Sequence, residues 1–232
     1  MTGITVKITR KAFGDRTILS DIGFKLAPGE VAALLGPSGC GKTTLLNLMG
    51  GIDDDFEGDV TASGAPVSMV FQAPRLLPWR TLTENIVIAG HVTELKAKDL
   101  LASVGLDADT DTYPEKASLG MQRRAALARA LAVDPGLVLM DEPLVSLDQK
   151  NASQMLELIR SRLLETGASA VIATHHKDEA LALADRILEL GGTPTTLVRN
   201  SPSPLDREAR LDVRNVRSAI QHWAKTDGHA AG

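Results

Sequence analysis

Up to Ala27 the chain alternates between apolar and polar positions. Ile4, Val6 and Ile8 fall on one face of an extended segment, and Ile22, Phe24 and Leu26 repeat the pattern after a Gly14-Asp15 turn, so two strands are predicted. Pro28-Gly29 breaks the second run. The next segment, Val31-Ala32-Ala33-Leu34-Leu35, is apolar at every position, as a strand covered on both faces of a parallel sheet would be. A Gly-rich turn follows, and Thr43 to Met49 then reads as a helix. Four further short apolar runs are Val67 to Phe71, Leu137 to Met140, Ala170 to Ala173 and Ile187 to Leu190, and helical patterns such as Leu156, Ile159 and Leu163 lie between them. Strands alternating with helices predict an α/β fold, a mainly parallel sheet flanked by helices with an antiparallel N-terminal β part. Residues 75–120 carry no buried-strand pattern and read as a small helical insertion. One domain over 1–192 is expected, then a polar tail over 193–232, rich in Pro, Ser and charge, with a polar helix between Asp206 and Ala224 and no assignable role.

Composition narrows the class. At 232 residues the chain is within range of a single large α/β domain. No apolar stretch approaches the roughly 18 residues of a membrane-spanning helix, and the N-terminal residues lack an apolar secretion segment. A net charge of −4 gives no general reason to expect nucleic-acid binding. The single cysteine, Cys40, excludes an intramolecular disulfide and a Cys-cluster metal site. A soluble intracellular protein is expected.

The Gly-rich turn carries the first chemistry. Gly36-Pro37-Ser38-Gly39-Cys40-Gly41-Lys42-Thr43, followed by Thr44, fits G-x-x-x-x-G-K-[ST], between a buried strand and a helix. Glycines let several N–H groups curl toward phosphate oxygens, and the helix adds its positive N-terminal end. Lys42 can bridge the β- and γ-phosphates, and the Thr43 hydroxyl can hold Mg²⁺. This predicts a P-loop NTPase core that binds a nucleoside triphosphate. Cys40 inside the loop reads as a small filler. A second site element is Leu137 to Met140, an apolar strand that ends in Asp141-Glu142-Pro143. Alternate strand side chains point to opposite faces, so the two carboxylates should have different jobs. One suits Mg²⁺, and the other can orient and deprotonate an attacking water.

From Ile4 to Leu190 this order of motifs resembles the ATP-binding cassette (ABC) ATPases, the nucleotide-hydrolysing subunits of membrane transporters. Gln72, in Val70-Phe71-Gln72, looks like the family's glutamine hinge. Ser146-Leu147-Asp148 looks like its dimer-crossing loop, and His175, in Ala173-Thr174-His175, like its switch histidine. Phe13 stands where the family places an aromatic that stacks on adenine. The resemblance implies Glu142, His175 and Gln72 as catalytic residues, and Thr43, Gln72 and Asp141 as Mg²⁺ contacts. ATP and Mg²⁺ are the implied substrate and cofactor. His176 has no matched role and reads as structural or solvated.

The signature segment departs from the pattern. Where the family has Leu-Ser-Gly-Gly-Gln, this chain has Ala117-Ser118-Leu119-Gly120-Met121 before a helix with Met121, Ala125, Ala128 and Leu131 on one face. The resemblance places Ser118, Gly120 and Asp148 against ATP held by a second cassette, in a homodimer or a heterodimer. If the backbone at Leu119 needs positive φ, leucine costs about 1–2 kcal/mol. If it is helical, the cost is crowding near the phosphate. An active but slower ATPase is expected.

Leu76-Leu77-Pro78-Trp79, then Thr81-x-x-Glu84-Asn85, resembles the nitrate, sulfonate and taurine branch of bacterial importers. That likeness implies an integral membrane permease gripped near Trp79, a periplasmic or lipid-anchored solute-binding protein, and a place on the cytoplasmic face of the inner membrane. The rival readings are a soluble ABC ATPase working on nucleic acid and a P-loop kinase. The chain between Lys42 and Asp141 is too short for the long coiled coil of repair-type relatives. A kinase would not need Ser118-x-Gly120 or Ser146-Leu147-Asp148. No nucleic-acid partner is expected.

Overall fold

The computed structural model describes residues 3–61 and 64–227; the ends of the expected domain and tail, 1–2 and 228–232, lie outside the described residues. The alternating N-terminal segment forms β1 (Ile4–Phe13) and β2 (Arg16–Leu26), joined by the Gly14-Asp15 turn and paired antiparallel with Ile4 opposite Leu26. With β4 (Glu57–Thr61) they make a three-stranded sheet in the order β2-β1-β4. Its buried side chains, Ile4, Val6, Ile8, Ile22, Phe24 and Leu26, sit on one face.

The wholly apolar runs form the second sheet. It contains β3 (Val31–Leu35), β5 (Val67–Val70), β6 (Leu137–Asp141), β7 (Ser169–Thr174), β8 (Arg186–Gly191) and β9 (Thr196–Pro202). The strand order is β5-β6-β7-β3-β8-β9. All neighbours are parallel except β9, which runs antiparallel to β8. Both faces are covered, which is why the runs do not alternate in polarity. On one face Ala32, Leu34, Leu139 and Val171 pack with α1 (Lys42–Met49) and the antiparallel sheet. On the other, Ala33, Leu35, Val138 and Ile172 pack with α5 (Gln149–Thr166), α6 (Lys177–Leu183) and part of α4 (Leu119–Leu131).

The segment read as a helical insertion contains α2 (Leu82–Gly90) and α3 (Glu94–Ser103) and has a core of its own, in which Leu82, Ile86, Ala97 and Leu101 meet Ala125 and Ala128 of α4. Helix α4 belongs to both cores. Met121, Ala125 and Ala128 face the insertion, whereas Leu131, expected on the same face, joins Leu127 and Ala130 against the main sheet.

The C-terminal region differs from the expected tail. Residues 196–202 are the edge strand β9 of the main sheet, and Val216 and Trp223 of α7 (Val213–Asp227) are buried in the main core. The expected polar helix is present as α7, but the polar alternation of an edge strand hid β9, and a narrow apolar stripe hid the packing of α7 on the core. This region is also clamped electrostatically. Asp185, just before β8, accepts from Arg207 Nη2 (2.7 Å), the Val31 N–H (3.0 Å) and Arg210 Nη2 (2.8 Å). Burial pushes the Asp185 carboxyl up, but these donors outweigh it and hold its pKa at about 2, below the ordinary 3.8. A depressed carboxylate pKa contributes stability that is complete above the unfolded value and lost as pH falls toward the folded one. Asp185→Asn should therefore cost about 2 kcal/mol at neutral pH and flatten the fall in stability between about pH 4 and 2. Urea unfolding at pH 7 and pH 3 reads both. Among the described residues, no helix is long and apolar enough to cross a membrane.

Candidate active site

The Gly-rich loop leaves the C-terminal end of β3 and enters α1. Gly41 occupies the N-cap position with φ 101 and no side-chain cap, so the first-turn N–H groups of α1 are not taken up by a side chain of the cap. A Cβ on Gly41 would lie 2.7 Å from Leu19 Cδ2, so both backbone and packing demand glycine there. Lys42 is buried, and its Nζ donates to the carbonyls of Gly36 (2.8 Å) and Pro37 (3.1 Å), 3.9 Å from Glu142 Oε1.

Across the cleft, Thr43 Oγ1 donates to Asp141 Oδ2 at 2.8 Å. Burial pushes the Asp141 carboxyl up, more than Thr43 and Lys42 lower it. A desolvated carboxylate beside a hydroxyl is a set of hard oxygen donors in want of a cation, and so fits Mg²⁺. Glu142 does not turn to the opposite face. Strand β6 ends at Asp141, Glu142 adopts φ 46, and its N–H donates to the Ala173 carbonyl at 2.9 Å. The left-handed residue breaks the alternation, so both carboxylates line one cleft. Glu142 Oε1 lies 3.1 Å from His175 Nδ1. The His175 turn is anchored beneath by Thr174, whose hydroxyl donates to Glu179 and accepts from the His176 N–H. His176 occupies the N-cap position of α6 without a side-chain cap bond, and its ring centroid lies 4.0 Å from that of His175.

The cleft has a volume of about 400 Å³ and is lined by Phe13, Arg16, Ile18, Ser38, Gly39, Gly41, Lys42, Thr43, Thr44, Gln72, Asp141 and Glu142. Phe13, at the end of β1, is 56% exposed at its mouth, with Lys11 Nζ 4.6 Å from the ring centre. Gly36, Pro37 and Cys40, expected among the ATP-binding residues, do not line it. Gly36 and Pro37 lend carbonyls to Lys42, and the Cys40 side chain packs beneath the loop, where its sulfur would be 2.7 Å from a Cβ on Gly36. Arg16 and Ile18 are cleft residues that the motifs did not mark. Arg16 pairs directly with Phe13 across the β1–β2 hairpin, so register was the available signal.

Ser118, Gly120 and Asp148 do not line this cleft either. They meet at a second place, where the first turns of α4 and α5 approach. Ser118 caps α4 by accepting from the Met121 N–H, and Asp148 caps α5 by accepting from the Asn151 N–H at 3.0 Å. Asn151 Nδ2 donates to Asp148 Oδ2, while its Oδ1 would lie 3.7 Å from a Cβ on Gly120. A capping hydroxyl keeps its own O–H to donate, so Ser118 can cap and bind at once. Leu119 is the first residue of α4, is not among the positive-φ residues, and is 42% exposed. Of the two costs considered for leucine here, backbone strain is eliminated and crowding at the helix start remains.

The family model described as ABC transporter matches residues 19–145. An aliphatic sulfonates import ATP-binding protein of Burkholderia cenocepacia is 38% identical over 224 residues, 92% of this chain and 80% of the relative. The protein so named from Pseudomonas savastanoi pv. phaseolicola is 38% identical over 94% of each chain. One from Pseudomonas aeruginosa is 40% identical over 213 residues, 85% of this chain and 86% of the relative. A solved dimeric ATP-binding cassette, in a post-hydrolysis state bound to ADP and Pi, superposes with a TM-score of 0.77 at 25% identity, covering 88% of this chain and all of that one.

Proposed function

The chain belongs to the ABC transporter family and is an ATPase, and from that premise we propose that it is the ATP-hydrolysing subunit of an importer for sulfonate-like solutes. Two of its cassettes would close on two ATP molecules. The observation that carries this reading is the presence of two half-sites on one chain: the cleft with Lys42, Thr43, Asp141 and Glu142, and a separate cluster of Ser118, Gly120 and Asp148 outside its lining. A phosphate held by Lys42 and the N-terminal end of α1 in one subunit is completed by the first turn of α4 in the other. The sulfonate assignment rests on the Leu76-Leu77-Pro78-Trp79 segment and on the names of the relatives.

In the proposed mechanism Phe13 stacks on the base. Lys42 exchanges its two carbonyl contacts for β- and γ-phosphate oxygens. Thr43, Asp141 and Gln72 would hold Mg²⁺, which supplies charge neutralisation to the phosphates when bound. Glu142 takes the proton of the attacking water, and His175, hydrogen-bonded to Glu142, fixes the direction of that carboxylate.

Docking of the permease is assigned to Trp79, which is 67% exposed on a loop that is far from loose. Asn85 accepts from the Leu77 N–H (2.7 Å) and donates to the carbonyls of Leu77, Arg80 and Thr81. Thr81 and Glu84 form a reciprocal capping box at the start of α2. The Thr-x-x-Glu-Asn pattern therefore builds a rigid pedestal that holds an indole in solvent, an arrangement suited to anchoring a partner helix. Trp79→Ala should weaken co-purification with a multispanning membrane subunit at least about tenfold, with the isolated chain's ATPase rate unchanged. Unchanged assembly would reject the docking role, and co-purification with nucleic acid instead would reject the importer reading.

A further inference from the structure

Helix α4 holds both loops that carry the chemistry proposed for its own cleft, and it does so with arginines. Buried Arg123 donates from Nη1 to the Pro143 carbonyl at 2.8 Å, directly after Glu142. Near the other end of the helix, Arg129 donates from Nη1 to the Arg75 carbonyl (2.6 Å) and from Nη2 to the Pro74 carbonyl (2.8 Å). These are the carbonyls that follow Gln72 and Ala73. Arg75 has φ 48, a conformation that a non-glycine residue keeps only when its surroundings impose it. Its own guanidinium lies 4.1 Å from the Phe71 ring centre. The Gln72 loop is thus bracketed by a stacked cation before Gln72 and a two-pronged clamp after it. Among the described residues these two backbone carbonyls hold the half-buried Arg129 guanidinium, and burial lowers its pKa. Two N–H groups in a fixed planar fork hold the loop in one position more tightly than a single donor would.

We propose that Arg129 is a positioning residue: its fork on the Pro74 and Arg75 carbonyls sets where Gln72 stands in the cleft. It also ties that position to the helix whose first turn carries Ser118 and Gly120. This rests on the reading of Gln72 as a contact for Mg²⁺ or the attacking water. Helix α4 has 13 residues, about 20 Å, so a contact at its start is carried by a stiff element to the Gln72 loop of the same chain.

The test is a double-mutant cycle on the purified full chain, with ATPase rates measured against MgATP and against free Mg²⁺. Arg129→Gln should lower kcat about tenfold or more, because misplacing a positioned group by an ångström costs that order of rate. Its KM for ATP should stay within about threefold, and its Mg²⁺ midpoint should rise as in Gln72→Ala. The double variant should be no slower than Gln72→Ala alone. Arg129→Lys, with one ammonium in place of a fork, should recover only part of the rate. A folded Arg129→Gln protein with the parental kcat and Mg²⁺ midpoint overturns the inference. Independent, additive losses in the double variant overturn it too, since Arg129 would then not act through Gln72. Parental behaviour of Gln72→Ala instead removes the Gln72 reading itself and the inference with it. If Arg129→Gln does not fold, Arg129→Lys takes its place in the same cycle, with the same outcomes decisive.

Discussion

Glu142→Gln should abolish turnover while leaving ATP bound. The substitution keeps the shape of the side chain and can keep the contact to His175 Nδ1, at 3.1 Å in the parent. It removes the property a general base needs, a carboxylate oxygen basic enough to take the proton from water. Loss of general-base catalysis is worth roughly 10²–10⁴ in rate, so kcat should fall by at least about a hundredfold. ATP affinity should not fall, because the substitution removes a carboxylate that would repel phosphate. On the proposed two-cassette reading, the ATP-loaded variant should accumulate as a dimer, since ATP that is not hydrolysed stays in place between the subunits. Radiolabelled phosphate release gives the first quantity and sedimentation with and without ATP the second. A variant that still hydrolyses at the parental rate would assign the base elsewhere in the cleft.

Lys42→Ala should fail one step earlier, at binding. The Lys42 ammonium is 5% exposed and already makes two bonds to carbonyls, of Gly36 at 2.8 Å and Pro37 at 3.1 Å. Exchange of these neutral acceptors for phosphate oxygens makes charge-assisted bonds of about 1.5–3 kcal/mol each. Losing even one of them raises the Kd for ATP by roughly tenfold to a hundredfold or more. Nucleotide titration by calorimetry measures it, with thermal unfolding of the apo protein as the control. The same lysine ties its own loop together, so a modest fall in stability accompanies the loss. A Kd within about threefold of the parent would contradict the role given to Lys42.

Much of the site was legible because its parts are local. The phosphate loop needs neighbouring residues to supply glycines, a lysine and a hydroxyl, and so it reads directly from Gly36 to Thr43. Thr81, Glu84 and Asn85 stood out as a family likeness, and their purpose is equally local: a capping box and a knitted loop that hold Trp79 outward. What resisted reading depends on backbone conformation or on distant partners. Alternation along β6 sends Glu142 to the wrong face, and a single positive φ corrects it. Leu119 looked anomalous against a glycine pattern, yet it occupies an ordinary helical first position. Arg129 lies in an unremarkable helical stretch and gains its meaning only from carbonyls 54 and 55 residues away. The tail read as polar because edge strand β9 and helix α7 each bury only a narrow stripe.

The sequence by itself determined the class of fold, the phosphate loop, the paired carboxylates and the order in which the motifs follow one another, since each is set by residue type at short spacing. It could not determine that Gln72, Glu142, His175 and Lys42 converge. That came from the strand order β5-β6-β7-β3, which places the loops after four parallel strands side by side at one edge of the sheet. Neither could it show that Ser118, Gly120 and Asp148 gather outside that cleft's lining, linked through Asn151. Both outcomes follow from burial. A chain folds so that its apolar runs become neighbours in one covered sheet, and the polar residues at their ends are carried to wherever that packing puts them.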